Sequence, residues 1–189
     1  SMTFNFFRSF GLKRDSLTTQ WHSIDNYASP DMYNFFLNLG PLSNVNKLYY
    51  KNQVKFWNDV VAHPNYDEFW KSRSILPHFT KVMPAVLIVG GWYDSEDLYG
   101  PLNIYKSIEE KNTNNKTHLI MGPWIHGGWS RTDGGIYGDF SFGENTSDTY
   151  NNKYITPFFK YYLKGEGKPL EAEAITFRTG SNEWHTYNQ

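Results

Sequence analysis

The hydrophobic rhythm of this chain changes once, at Met83-Pro84. Upstream, over residues 4–80, apolar positions recur at helical spacing and no strand alternation appears. Met32, Tyr33, Phe36, Leu37 and Leu39 form one stripe. It is bounded by Ser29-Pro30-Asp31, which reads as an N-cap, a proline at N1 and a first-turn acid, and by Gly40 just past the end. Further helices are predicted over residues 54–61 and 66–73, with Tyr66, Phe69 and Trp70 on a common face. Downstream, Ala85-Val86-Leu87-Ile88-Val89 is a short continuous run of mostly branched residues ended by Gly90-Gly91, the pattern of a strand buried on both faces. Gly100-Pro101 opens a helix to about Lys111 with Leu102, Ile104, Tyr105 and Ile108 inward, and residues 117–121 form a second buried strand stopped by Gly122-Pro123. Strand, helix, strand with a right-handed crossover makes that pair parallel.

Residues 129–152, rich in Gly, Ser, Asp and Thr, predict a long loop. Thr156-Pro157 starts or kinks a helix carrying Phe158, Phe159, Tyr162 and Leu163 on one side, with Gly165 past its end. Ile175, Phe177 and Thr179 then alternate with polar positions, and Gly180-Ser181-Asn182 turns the chain before Trp184. The expected class is α/β, organised as a helical region over 4–80, a sheet-bearing region over 81–165, and the start of a β domain over 166–189.

Composition narrows the partners. With 18 basic against 19 acidic side chains and a net charge of -1, the chain has no basic surplus to hold phosphates, so nucleic acid is not an expected partner. Zero cysteines exclude disulfides, thiolate metal sites and a cysteine nucleophile, while leaving the compartment unread. The longest apolar run, residues 85–89, falls far short of the roughly 20 residues that span a bilayer, so no membrane segment is expected. No signal peptide is visible, and Ser1-Met2 reads as a tag remnant in front of a chain that begins within a longer protein.

Candidate chemistry lies on two loops. Side chains beyond the carboxyl ends of parallel strands converge on one edge of the sheet. Gly91-Trp92-Tyr93-Asp94-Ser95-Glu96-Asp97 holds three carboxylates, and Gly122-Pro123-Trp124-Ile125-His126-Gly127-Gly128 presents one histidine among glycines. A carboxylate on the first loop can fix the tautomer of the imidazole on the second and stabilise the imidazolium formed when it takes a proton from a nucleophile. Asp followed by His, with a serine earlier in the chain, is the order of an α/β-hydrolase; no G-x-S-x-G block occurs in these 189 residues. Spacing alone also fits a loop carboxylate and a turn histidine without catalytic work.

The segments Gly90-Gly91-Trp92-Tyr93-Asp94, Gly122-Pro123-Trp124-Ile125-His126 and Pro157-Phe158-Phe159-Lys160-Tyr161-Tyr162-Leu163-Lys164-Gly165 resemble the cocaine esterase and α-amino-acid ester hydrolase group. That group also includes proteins labelled glutaryl acylases and is related to the X-prolyl dipeptidyl peptidases. The likeness extends from Leu39-Gly40-Pro41-Leu42 and Phe56-Trp57-Asn58-Asp59, through His63-Pro64-Asn65-Tyr66-Asp67, to Thr179-Gly180-Ser181-Asn182-Glu183-Trp184. It implies the C-terminal part of an α/β-hydrolase fold with a helical cap, followed by a β jelly-roll domain that begins near the end of this chain. It implies that Asp94 is the triad acid and His126 the triad base of a serine hydrolase acting on a small-molecule ester or amide, the serine lying outside this chain. On that basis the chain by itself is expected to be an inactive fragment.

In the family's D-x-E-D pattern, Glu96 and Asp97 belong to a carboxylate cluster that receives a substrate's α-ammonium group. Trp92 and Trp124, with Trp129, are candidates for the walls of an acyl pocket, and equally for packing. No cofactor is expected, and His22, His63, His78, His118 and His185 show no paired metal-ligand spacing. A homo-oligomeric parent stays open. The rival readings are a plain carboxylesterase, an X-prolyl dipeptidyl peptidase, a carbohydrate-binding or glycosidase fragment in which Glu96 and Asp97 pair and the aromatics stack on sugars, and an interaction module with no chemistry.

Overall fold

A computed structural model of the chain describes residues 2–20, 24 and 29–188, which fall into two compact units, Ser1–Ser74 and Ile75–Gln189. His22 lies outside the described residues.

The first unit is helical: α1 (Met2–Phe10), α2 (Met32–Leu39), a π-turn over Asn46–Tyr50, α3 (Lys55–Ala62) and the short α4 (Glu68–Lys71). Its core is Leu39, Val45, Tyr50, Val54 and Trp57, with the Tyr50 and Trp57 rings meeting edge to face at 5.3 Å. The cap of α2 is Asp31 rather than Ser29. An Asp31 side-chain oxygen accepts the Asn34 N–H at 3.0 Å, and the Ser29 hydroxyl in turn accepts the Asp31 N–H. The His63-Pro64-Asn65-Tyr66-Asp67 stretch is a local brace. Asp67 caps α4 through the Phe69 N–H and meets His63 Nδ1 at 2.7 Å, while the His63 ring stacks on Phe69 and its carbonyl accepts the Trp70 indole N–H.

The second unit holds a four-stranded mixed sheet in the order β1 (Val86–Gly91), β2 (Thr117–Gly122), β5 (Ala174–Arg178), β6 (Glu183–Tyr187). β1 (Val86–Gly91) and β2 (Thr117–Gly122) are parallel and joined by α5 (Tyr99–Lys111), as their apolar runs predict. β2 is buried along its whole length. Leu119 and Met121 pack with Ile88 and Ile108 on one face, and Ile120 packs with Trp124, Tyr150 and Ile175 on the other. A strand covered on both faces has no polar side to show, which is why its sequence does not alternate.

One expectation for the later part of the chain is corrected. Residues 129–152 are not one long loop: they contain α6 (Gly128–Arg131), a two-stranded hairpin of β3 (Ile136–Tyr137) and β4 (Phe140–Ser141), and the start of a helical run. That run is α7 (Thr146–Tyr150), a π-turn (Asn151–Ile155), α8 (Thr156–Phe159) and a second π-turn (Lys160–Lys164), so Thr156-Pro157 lies inside it. Proline lacks an N–H and crowds the carbonyl four residues back, and the wider turn directly before it relieves both problems. Polar side chains concealed this start because Thr146 and Ser147 are buried and bonded inside the fold, to the Gly134 and Gly128 carbonyls. β5 (Ala174–Arg178) pairs parallel to β2, and β6 (Glu183–Tyr187) pairs antiparallel to β5, so both extend the same sheet. Ile175 and Phe177 are buried while their neighbours are less so, which gave the alternation. No helix among the described residues is long and apolar enough to cross a membrane.

The sheet tolerates side chains unevenly at its paired glycines. A Cβ on Gly91 would stand 2.1 Å from the Trp124 carbonyl oxygen, a backbone atom that cannot move aside, whereas one on Gly90 would meet mainly the Pro101 ring edge and the flexible end of Met121. Gly91→Ala is therefore expected to destabilise the protein by about 3 kcal/mol and Gly90→Ala by distinctly less, as measured by chemical denaturation.

Candidate active site

Parallel pairing of β1 with β2 sets Gly91 opposite Gly122, so the two loops leave the sheet side by side. Backbone hydrogen bonds then join them: the Trp92 N–H donates to the Gly122 carbonyl at 2.9 Å and the Tyr93 N–H to the Trp124 carbonyl at 3.0 Å. Asp94 follows on one loop and His126 on the other, and His126 Nδ1 lies 3.0 Å from Asp94 Oδ2. With the carboxylate as acceptor, Nδ1 carries the proton and Nε2 keeps a free lone pair. The imidazole is nearly half exposed, at 45%, while the Asp94 side chain is 3% exposed. The carboxylate is thus held in the protein, and the imidazole is held at its surface.

Each oxygen of Asp94 has its own task. Oδ2 meets the histidine, and Oδ1 accepts the N–H groups of Glu96 at 2.8 Å and Asp97 at 2.9 Å. Burial works to raise the Asp94 pKa, but the Asp97 and Glu96 N–H groups and the His126 imidazole outweigh it and hold the carboxyl below the usual aspartate range. The side chains of Glu96 and Asp97 come to the same place. Glu96 Oε2 is 3.9 Å and Asp97 Oδ2 3.7 Å from His126 Nδ1, so three carboxylates surround one edge of the ring. Both lie in the open, with 42% and 64% of their side chains exposed.

A cavity of about 280 Å³ opens beside this group, with Asp94, Asp97 and His126 as its polar wall and Ile88, Val89, Pro101, Ile104 and Trp129 among its apolar lining. The tryptophans proposed from the sequence separate here. Trp124 is 1% exposed and cannot line a cleft: its indole N–H donates to Thr146 Oγ1 at 2.9 Å, and its ring packs against Trp129, Tyr150 and Trp184. Trp92 is half-buried, packed against the cluster under α5, and donates its indole N–H to the Phe177 carbonyl. Trp129 is the one of the three that reaches the cavity.

Sequence reasoning missed the β3–β4 hairpin, whose Tyr137 stacks on Tyr93 at 4.5 Å, next to Asp94 in the chain. The only signal was a run of small and turn residues that reads equally as loop. Of the other described histidines, His63 Nδ1 meets Asp67 at 2.7 Å, and His118 is buried on β2 with Nδ1 against the Ala172 carbonyl at 2.9 Å.

Residues 9–128 match the X-Pro dipeptidyl-peptidase family, S15. Cocaine esterase from Rhodococcus sp. (strain MB1 Bresler) is 29% identical over 133 residues, which cover 67% of this chain and 21% of that protein. Among solved structures, an aminopeptidase from the marine sediment archaeon Thaumarchaeota archaeon is 31% identical with a TM-score of 0.78, over 86% of this chain and 27% of the other. An α-amino acid ester hydrolase superposes with a TM-score of 0.84 at 24% identity, over 97% and 30% of the two chains, and supports the fold alone. This chain therefore spans less than a third of the length of these relatives.

The depressed Asp94 pKa carries a sign that can be measured. A carboxyl whose folded pKa lies below its unfolded value of about 3.9 adds stability above that value and loses it as pH falls through the folded one. Asp94→Asn is expected to be less stable than the parent near neutral pH and to converge with it under strongly acid conditions, as followed by thermal unfolding over pH.

Proposed function

Because the chain belongs to the X-Pro dipeptidyl-peptidase (S15) family, we propose that Asp94 and His126 are the acid and base of a serine-hydrolase triad that cleaves esters or amides of α-amino acids. The observation that carries this reading is the 3.0 Å contact between a buried carboxylate, anchored by two N–H groups, and the Nδ1 of a histidine whose ring is nearly half exposed. The nucleophilic serine and the oxyanion donors would be supplied by parts of the protein outside these 189 residues. His126 Nε2 takes the serine proton as the hydroxyl attacks the carbonyl carbon, then returns it to the departing alcohol or amine. Asp94 keeps the ring in the tautomer this needs and offsets the positive charge it gains. In this reading residues 4–80 serve as the cap, and residues 81–165 form the acid-and-base half of the hydrolase domain.

Glu96 and Asp97 supply the specificity. Gathered with Asp94 within 4 Å of one imidazole nitrogen, they build a negative potential that a substrate ammonium group would neutralise. Their exposure weakens each pair through solvent screening, so the site gains from partial closure by substrate. A peptide's free amino terminus would satisfy the same carboxylates. That second reading, hydrolysis next to a peptide amino terminus, is favoured by the 31% identity to the archaeal aminopeptidase.

Two measurements on the whole protein test the proposal. His126→Ala is expected to lower kcat by about 10⁶-fold, and unchanged turnover would remove the triad assignment. The protein is further expected to cleave α-amino-acyl esters faster than matched esters lacking the amine. Glu96→Gln with Asp97→Asn should narrow that preference by roughly 10- to 100-fold. Equal rates on both substrates would sink the ammonium site while leaving the triad standing.

A further inference from the structure

Two consecutive hydroxyl residues, Thr146 and Ser147, open α7, and both are buried. Each reaches back to the loop that carries His126. The Thr146 hydroxyl accepts the Trp124 indole N–H at 2.9 Å and donates to the Gly134 carbonyl at 2.7 Å, so its donor and its acceptor side are both in use. The Ser147 hydroxyl donates to the Gly128 carbonyl at a longer 3.4 Å, and the Ser147 N–H donates to the Asp133 carbonyl at 2.9 Å. Trp124 stands two residues before His126 and Gly128 two residues after it. The hydroxyl pair therefore grips the loop on both sides of the imidazole.

We propose that Thr146 and Ser147 are positioning residues that hold His126 against Asp94, an inference that rests on the acid-and-base reading of that pair. They act through the backbone. The Trp124 carbonyl accepts the Tyr93 N–H at 3.0 Å, one residue before Asp94, so a tryptophan fixed in one orientation keeps the two loops in step. On the other side the Gly128 N–H donates to the Ile125 carbonyl at 2.8 Å, and the Gly128 carbonyl takes the N–H and the hydroxyl of Thr132 as well as the Ser147 hydroxyl. That closes the turn around His126. The group is tightly drawn: a Cβ on Gly134 would stand 2.4 Å from Thr146 Oγ1, 2.6 Å from Ser147 Oγ and 2.7 Å from Trp124 Nε1. An apolar side chain could fill the same volume, but a hydrogen bond also sets direction, because it weakens steeply away from linearity. Catalytic groups have to be kept within about 0.5 Å of their productive geometry.

Removing the Thr146 hydroxyl leaves the Trp124 N–H and the Gly134 carbonyl without that partner. Trp124 stays wedged among Trp129, Tyr150 and Trp184, so the fold survives while the ring settles at another angle and the histidine loop follows it. Glu96 and Asp97 stand on the opposite loop, anchored there through their own N–H groups to Asp94. Substrate capture by those carboxylates is thus kept, and the loss falls on turnover.

The test is steady-state kinetics of the whole protein on the ester or amide it turns over fastest, with Thr146→Val, Thr146→Ser, Ser147→Ala and His126→Ala compared with the parent. Thr146→Val keeps the shape and removes the hydroxyl. It is expected to lower kcat by roughly 10- to 100-fold with KM within about twofold of the parent. Thr146→Ser supplies the hydroxyl again and should recover most of the turnover, and Ser147→Ala should lower kcat by a smaller factor. Parental kcat in Thr146→Val, where His126→Ala is inactive, overturns the proposal and leaves the triad standing. A loss that falls on KM, or one that Thr146→Ser shares in full, overturns it as well. Parental turnover in His126→Ala removes the acid-and-base reading itself and the positioning role with it. Should Thr146→Val fail to fold, Ser147→Ala decides, and parental kcat in that variant overturns the proposal.

Discussion

The arrangement around His126 depends on one constraint, the in-register parallel pairing of β1 with β2. Parallel strands send their carboxyl ends to the same edge, and register decides which residues leave that edge together. Here Gly91 and Gly122 leave as partners, and two further backbone hydrogen bonds continue the pairing into the loops as far as Tyr93 and Trp124. Asp94 is the next residue on one loop, and His126 is two residues further on the other. Their contact follows from backbone geometry before any side-chain attraction is counted. A shift of register by one residue would separate them.

Trp124 keeps those loops together from beneath. Its ring lies over Gly122 so closely that a Cβ there would fall within 2.4 Å of it, and its carbonyl lies where a Cβ of Gly91 would go. Its indole N–H is tied through Thr146 Oγ1 to the Gly134 carbonyl, which joins the histidine loop to the first turn of the long helical run. A fully buried tryptophan removes a large apolar surface from water, and truncating one costs about 3–5 kcal/mol. The tryptophan beside the histidine thus supports the site from the core, and the glycines around it are glycines because its atoms occupy their side-chain space.

The electrostatics divide between an inner and an outer set of carboxylates. Asp94 is inside, where burial alone would favour protonation and three hydrogen bonds reverse that. Glu96 and Asp97 lend their backbone N–H groups to Asp94 and bring their own carboxylates within 4 Å of the same imidazole nitrogen. One short loop therefore fixes the acid with its backbone and adds negative potential with its side chains. The pairing of an oriented imidazole with surplus negative charge is what the proposal of an amine-bearing substrate rests on.

Much of this was legible in the sequence. The continuous branched runs specified β1 and β2, glycine marked their ends, and the order Asp94 then His126 on successive loops, with the resemblance to known motifs, identified the pair and its two acidic neighbours. Local polarity hid the rest. Thr146 and Ser147 read as loop residues yet are buried within a helix, because carbonyls supplied by distant parts of the chain satisfy their hydroxyls. Alternation after residue 173 records burial on one face and says nothing about which strand lies alongside; β5 joins β2 across some fifty residues of chain. Trp92, Trp124 and Trp129 look alike in sequence, and only packing decides that Trp129 meets the cavity while Trp124 is sealed in the core. Sequence by itself determined which chemical groups stand on which loops, since that follows from local hydrophobic period and turn residues. Tertiary structure alone decided which of them meet and which are wetted, since distance and exposure depend on contacts between residues far apart in the chain.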